Sequence, residues 1–210
     1  MKLKLLTIDP VMAEAFRKAF AWDKSVEVIE GPLTDEIAFD TIVSPANSLG
    51  IMDGGFDQAI IDVLGPQVQD LVSDMVNVRY GGIQPVGSAE VVKTNNFKHP
   101  WLVHAPTMVV PTMLSDFSIA YWSFHAALSA IIAAGRRADH VVLATAMGGG
   151  TGGIPPNTCA NLMSLVWEYF CTHYQGQPQQ GWQLGLQQLG MIKKVILKGE
   201  RVGHETERLD

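Results

Sequence analysis

The most informative segment of the chain is Ser44-Pro-Ala-Asn-Ser-Leu-Gly-Ile-Met-Asp-Gly-Gly-Phe-Asp57. A short β-branched run precedes it and predicts a buried strand over Asp40–Ser44. An apolar pattern with helical spacing, through Ile60, Ile61 and Leu64, follows it. Strand, glycine-rich loop and helix in this order are typical of layered α/β proteins, whose ligands bind at the carboxyl ends of the strands.

The chemistry of this first loop favours a ligand over a simple turn. Glycines at positions 50, 54 and 55 let backbone approach a ligand, and the helix that follows presents free N–H groups to an anion. Asn47 offers a donor and an acceptor to sugar hydroxyls, whereas an ionised Asp57 only accepts. Taken singly, Asn47 could satisfy its own loop and Asp57 could favour the helix N-terminus by its charge. A structural turn rarely needs so many special residues, so the whole stretch predicts a binding site.

A second glycine loop lies between a predicted buried strand, His140–Ala144, and a predicted helix, Pro155–Tyr174. Consecutive N–H groups in such a loop form an anion nest, with the helix dipole behind them. The candidate phosphate-binding residues are Gly148, Gly149, Gly150, Thr151, Gly152 and Gly153. A P-loop is excluded because Ile-Pro-Pro stands where Lys-Ser/Thr is required. The spacing also satisfies the dinucleotide fingerprint, so a dinucleotide-dependent oxidoreductase is an alternative; about 20 residues on, however, comes a helix residue, Glu168, and not a strand-end acid.

Local patterns predict the remaining elements. Asp9 is expected to cap a helix that starts with Pro10, and Asp116 a long helix that stops at Gly135. The further predicted strands are 2–8, 25–30, 88–93, 101–105 and 193–198, with an amphipathic stretch over 68–76. Residues 175–190 are predicted to be an exposed connection. One domain over 1–199 is expected, with 1–21 as an N-terminal addition and 200–210 as a polar tail.

Composition excludes several classes of function. The 210 residues are 47% hydrophobic, and 15 Lys and Arg against 21 Asp and Glu give a net charge of −6. An acidic chain without a basic run predicts neither nucleic-acid nor membrane binding. Cys159 and Cys171 fall in one predicted helix and cannot pair, which favours a reducing, cytoplasmic location. The longest apolar stretch, Ile119–Ala134, is shorter than the ~20 residues of a membrane span. The six histidines show no metal-ligand spacing, so neither a metal nor a resident cofactor is predicted.

Together the two loops resemble the signatures of the macro domain family, of its ADP-ribose-binding, Appr-1″-p processing type. The family's first signature is a strand followed by NAAN and a glycine-rich segment that ends in Asp, and the first loop follows it at equal length. Its second signature, G-x-G-x-G-G-x-P, fits Gly148–Pro155 position by position. The resemblance extends over roughly residues 25–199 in the right order.

The resemblance implies a three-layer α/β/α fold with a mixed central sheet of about six or seven strands. It also implies a ligand, ADP-ribose or a close derivative, free or attached to protein. Asn47 would meet the distal ribose; Asp53, Gly54 and Gly55 would lie beside that ribose and the diphosphate; and the second loop would surround the phosphates. Asp57 matches the acid that positions or activates water in hydrolytic members, where Asn47 would hold the ribose.

Three departures from the family pattern bear on function. Pro32 stands where the family has an Asp that recognises adenine, which predicts weak discrimination among bases unless Glu30 or Asp35 substitutes. Ser44 replaces the first Asn of NAAN, and Ile61 replaces a His of one hydrolytic group. A binding module and a hydrolase, acting on ADP-ribosylated acidic side chains or on O-acetyl-ADP-ribose, therefore both remain open, as does the oligomeric state.

Overall fold

A computed structural model describes residues 1–135, 139–174 and 181–206. In it, six strands form one mixed sheet, in the order β2-β1-β6-β3-β5-β4. The strands are β1 (Lys2–Thr7), β2 (Glu27–Glu30), β3 (Thr41–Ser44), β4 (Glu90–Lys93), β5 (Trp101–His104) and β6 (Val141–Ala144). Only β4 is antiparallel to its neighbour, so the other five strands end at the same edge of the sheet.

Helices cover both faces of this sheet. They are α1 (Pro10–Ala19), α2 (Gly55–Leu64), α3 (Gln67–Tyr80), α4 (Ile119–Ala133), α5 (Pro156–Tyr174) and α6 (Gly181–Thr206). One core cluster joins α1, α4, α5 and α6 to one face, and a second joins α2 and α3 to the other. Successive strand residues alternate between them: Ile42 belongs to the α2–α3 cluster and Val43 to the opposite one. The three-layer α/β/α fold is therefore confirmed.

The N-terminal strand is an interior strand of the sheet. β1 pairs in parallel with β2 on one side and with β6 on the other. Leu3 and Leu5 are fully buried. As predicted, the Asp9 side chain caps α1 and accepts a hydrogen bond from the N–H of Val11 at 2.9 Å. The predicted N-terminal addition, residues 1–21, therefore supplies an interior strand of the sheet and the helix α1 that packs on it.

Two local predictions are wrong. Residues 193–198 are not a strand, and 181–190 are not a connection; both belong to α6. Ile192 is buried, and Val195 and Ile196 are partly buried against the same cluster, which is the spacing of a helix that packs by one face. A short apolar run does not distinguish strand from helix, and the Gly and Gln residues before it suggested a loop. Residues 175–180 and 207–210 of the predicted connection and tail lie outside the described residues.

The predicted cap of α4 is also wrong. Ser118, not Asp116, is the N-cap residue, and it makes no side-chain cap hydrogen bond. Asp116 instead accepts from the N–H of Ser118 at 2.9 Å, which closes the turn before the helix.

Among the described residues no helix is both long and apolar enough to span a bilayer.

Candidate functional site

Both glycine loops line one cleft of about 900 Å³ at the carboxyl edge of the parallel strands. It is bordered by the loops that follow β1, β2, β3, β5 and β6. The predicted site residues on its wall are Asn47, Asp53, Gly54, Gly55, Asp57, Gly148, Gly149, Gly150, Thr151, Gly152 and Pro32. Gly153 is not on the wall; a side chain there would run into Met113. β3 and β6 are adjacent in the sheet, which brings together two loops about 100 residues apart in the chain.

The first loop presents an uncapped helix N-terminus to the cleft. α2 begins at Gly55, and its N-cap residue Gly54 offers no side-chain acceptor. In the part of the chain that the structure describes, no group accepts a hydrogen bond from the N–H of Gly54, Gly55 or Phe56. Free N–H groups at the positive end of a helix favour an anion.

The second loop holds a tight turn and several N–H groups without an acceptor among the described residues. Ile154 is buried, and its N–H donates to the carbonyl of Gly148 at 3.2 Å. Gly148 has a φ of +73°, and a Cβ there would lie 2.9 Å from the side chain of Ile154, so glycine is required. Within the described ranges, nothing accepts from the N–H of Gly150, Thr151 or Gly152. These amides form a second candidate wall for an anion.

The side chain of Asn47 is engaged in its own loop. Its Nδ2 donates to the carbonyl of Ile51 at 2.6 Å, and its Oδ1 accepts from the N–H groups of Leu49 and Ile51 at 3.1 and 3.3 Å. Asn47 therefore shapes the loop from within, and its predicted contact with a ribose stays a prediction.

Asp57 is a partly buried carboxyl group held by Ser44. The fully buried hydroxyl of Ser44, at the end of β3, donates to Oδ1 of Asp57 in the first turn of α2. Desolvation raises the pKa of Asp57 to about 6, and the nearby charge of Asp53 adds to that rise, while the hydrogen bond from Ser44 opposes it. A carboxyl with such a pKa exchanges protons near neutral pH, as a general acid or base must.

The charged residues on the cleft wall are acidic. Asp9, Asp53, Asp57 and Asp62 line it, and no Lys or Arg does among the described residues. No set of three or more His, Cys, Asp or Glu that could hold a metal comes together in residues 1–135, 139–174 and 181–206. The cleft thus offers anion binding through backbone amides, as the composition predicts.

The two acids that could replace the family's adenine-recognising Asp, Glu30 and Asp35, form ion pairs outside the cleft. Glu30 forms an ion pair with Arg17 at 2.8 Å, and Asp35 pairs with Lys98 at 2.7 Å. Neither lines the cleft, whereas Pro32 does. Substitution by Glu30 or Asp35 is therefore not supported.

The buried side chains of His104 and Cys159 do not line the cleft. His104 ends β5 and is fully buried, with Nδ1 2.7 Å from Oε1 of Gln84, and burial lowers its pKa to about 4. Burial likewise raises the pKa of Cys159 to about 12. Neither residue is on the cleft wall, so neither is a candidate nucleophile or base.

Sequence reasoning missed one part of the wall, the β1–α1 junction. Thr7, Ile8 and Asp9 line the cleft beside Pro32 and Leu33. The sequence indicates only a helix cap at Asp9, because the position of β1 in the sheet depends on long-range pairing. Its place directly after a strand is the one local signal of a site.

Comparison with known proteins gives the family. A bacterial protein of Aquifex aeolicus, described as uncharacterized, is 32% identical over 138 residues, which are 66% of this chain and 78% of that protein. The macrodomain of Mycobacterium tuberculosis DarG has a TM-score of 0.54 at 15% identity, covering 67% of this chain and 87% of its own. The Oceanobacillus iheyensis macrodomain, solved with ADP, has a TM-score of 0.52 at 17% identity, covering 63% and 70%. The Macro domain family model matches residues 43–163, more than half of the sequence, so this chain belongs to the macro domain family.

Proposed function

We propose that this protein binds ADP-ribose, free or attached to another protein, with the diphosphate between the two glycine loops. One observation carries the proposal: free N–H groups of Gly54–Phe56 and of Gly150–Gly152 line the same cleft. A diphosphate has acceptor oxygens on both phosphates and can engage the two walls at once. The relative from Oceanobacillus iheyensis, solved with ADP, supports a nucleotide diphosphate as the ligand class.

Substitution of Gly150 tests this placement. A Cβ at Gly150 meets nothing within 4 Å, so Gly150→Val leaves the protein's own packing intact and fills the phosphate path. We expect calorimetry to show at least about tenfold weaker ADP-ribose binding, because one or more charge-assisted hydrogen bonds are lost. Gly190→Val, at an equally open position in α6 away from the cleft, is the matched control. Unchanged affinity in a folded Gly150→Val protein would refute the loop assignment.

A specific observation also favours hydrolysis. Asp57 lines the cleft with a raised pKa and with its carboxylate oriented by Ser44. In the proposed step, a water held by Asp57 attacks the anomeric carbon of the distal ribose and gives its proton to the carboxylate. The bond from that carbon to an acidic side chain breaks, and its electron pair leaves with the side-chain carboxylate.

Incubation with protein mono-ADP-ribosylated on acidic side chains separates the two functions. If Asp57 acts as the base, ADP-ribose release rises with pH through about pH 6, where the carboxyl ionises. Asp57→Ala abolishes release while calorimetric binding persists. Equal release by wild type and Asp57→Ala would exclude this role. Binding of ADP-ribose without any release would show that the protein is a binding module and not a hydrolase.

The oxidoreductase alternative has less support. Glu168, about 20 residues after the glycine loop, lies on α5 and is not on the cleft wall. Among the described residues, therefore, no acid is placed as the dinucleotide fingerprint requires. A competition titration in which NAD(H) displaced ADP-ribose from a tighter complex would revive this alternative.

A further inference from the structure

The cleft extends beyond the glycine loops, over the ends of β1 and β2. Met12, in the first turns of α1, approaches the second loop so closely that a Cβ on Gly149 would lie 3.1 Å from its terminal carbon. The β1–α1 junction is therefore the immediate neighbour of the phosphate loop. A nucleotide with its diphosphate between the loops can lay its base across this junction.

The opposite end of the cleft carries a less exposed aliphatic side chain, Ile51, which is 45% exposed. Thr107, after β5, is fully buried, and its hydroxyl lies 3.4 and 3.5 Å from the carbonyls of Pro45 and Ala46. Met108 is only 8% exposed. At the junction, Ile8 is 78% exposed on the cleft wall. An exposed aliphatic side chain at a cleft wall suits the flat face of a heterocyclic base.

The junction also carries a fixed hydrogen-bond acceptor. Oδ1 of Asp9 accepts from the N–H of Val11 at 2.9 Å, and the N–H of Asp9 donates to Oγ1 of Thr7 at 3.1 Å. These bonds hold the carboxylate in one orientation. No group in the described part of the chain donates to the second oxygen, Oδ2. A carboxylate oxygen only accepts, so it matches an exocyclic amino group and disfavours a ring carbonyl.

We infer that Asp9 determines base specificity by accepting a hydrogen bond from the 6-amino group of the purine, while Ile8 covers the face of the ring. The inference rests on the proposed function. It replaces the weak discrimination that Pro32 alone predicts, because the acceptor comes from a different strand.

The test compares ADP-ribose with its hypoxanthine counterpart, inosine diphosphate ribose, by calorimetry. Wild type is expected to prefer ADP-ribose by about tenfold or more, as for a hydrogen bond to a charged acceptor. Asp9→Asn keeps the cap, since Asn and Asp cap helices about equally well. With Oδ1 held by Val11, its amide nitrogen replaces the free oxygen and donates, so the preference should disappear or reverse. Asp116→Asn, which removes an exposed acid with the same local hydrogen bond outside the cleft, should leave the preference intact.

Ile8→Ser is the second variant, with Val11→Ser as its control. Val11 is 62% exposed but does not line the cleft. Ile8→Ser should weaken both ligands by a similar factor, and Val11→Ser neither. A wild-type protein that binds both ligands equally, or an Asp9→Asn protein with the wild-type preference, overturns the role of Asp9 and leaves the proposed function standing. Failure of wild type to bind either ligand overturns both.

Discussion

At the scale of single residues, the pair Ser44–Asp57 explains how an unusual carboxyl group is maintained. The family has Asn where this chain has Ser44, and a serine at the end of a buried strand still supplies one donor to the acid in α2. That donor only partly offsets desolvation, so the pKa of Asp57 stays high. The charged form of Asp57 therefore opposes folding, as is common for a group that a functional site requires, the role that we propose for it.

This relation gives a prediction for Asp57→Asn. The folded pKa of about 6 exceeds the unfolded value, so stability from Asp57 is fully present below about pH 4 and is lost as pH rises through 6. A neutral Asn, which still accepts from Ser44, avoids that loss. We expect Asp57→Asn to raise the free energy of unfolding at pH 7 by about 1–2 kcal/mol, after allowance for partial solvent screening.

Chemical denaturation of both proteins between about pH 4 and pH 7 checks this prediction, since the linkage acts only across that interval. The difference should shrink toward zero at the acid end. Asp62→Asn removes one negative charge from the same wall and controls for net charge. An Asp57→Asn protein that is less stable than wild type at pH 7 would contradict the assigned pKa.

At the scale of elements, α6 shows why a short apolar run can lead to a wrong prediction of secondary structure. The run Lys193–Lys198 is short, apolar and bounded by lysines, which fits a strand as well as one side of a helix. Packing decides: Ile192, Val195 and Ile196 face α5 and its cluster, while Leu189 remains 49% exposed. The helix is therefore stabilised by its tertiary contacts, as helices with weak local propensity are.

Truncation of the buried and exposed apolar residues of α6 tests this arrangement. Ile192→Ala should lower the free energy of unfolding by about 2–3 kcal/mol, because Ile192 is 4% exposed and its removal leaves a cavity. Leu189→Ala, at a position of the same helix where the side chain is 49% exposed, should change it by less than about 0.5 kcal/mol. Urea titrations of the three proteins measure both values. Equal losses at the two positions would refute the packing of α6 by one face.

At the scale of the whole molecule, the electrostatics are unusual for the diphosphate site that we propose. The chain carries a net charge of −6, and the charged residues on the cleft wall, within the described ranges, are four aspartates. Attraction must then come from amide dipoles at short range, while the longer-range field repels the ligand.

Salt should therefore not weaken ADP-ribose binding. Between about 20 mM and about 300 mM NaCl, the association constant should stay constant or rise, because salt screens the aspartates more than the short amide contacts. A phosphate site made of Lys and Arg loses affinity steeply over such a range. Calorimetry at several salt concentrations measures the slope, with neutral adenosine as a control ligand. A several-fold loss of affinity at high salt would show that cationic side chains hold the diphosphate.

Local sequence patterns predict five of the six helices and all six strands in the described part of the chain, with 193–198 wrongly added as a strand, because strand and helix periods and glycine spacing are local properties. The relative placement of these elements depends on long-range contacts. Strand order placed β1 between β2 and β6, which brings Asp9 and Ile8 to a cleft otherwise built from distant loops. Tertiary packing also brings Ser44 into hydrogen-bond contact with Asp57, and it stabilises α6 as a helix. These outcomes depend on pairing and burial between segments far apart in the chain, and no local pattern encodes such contacts.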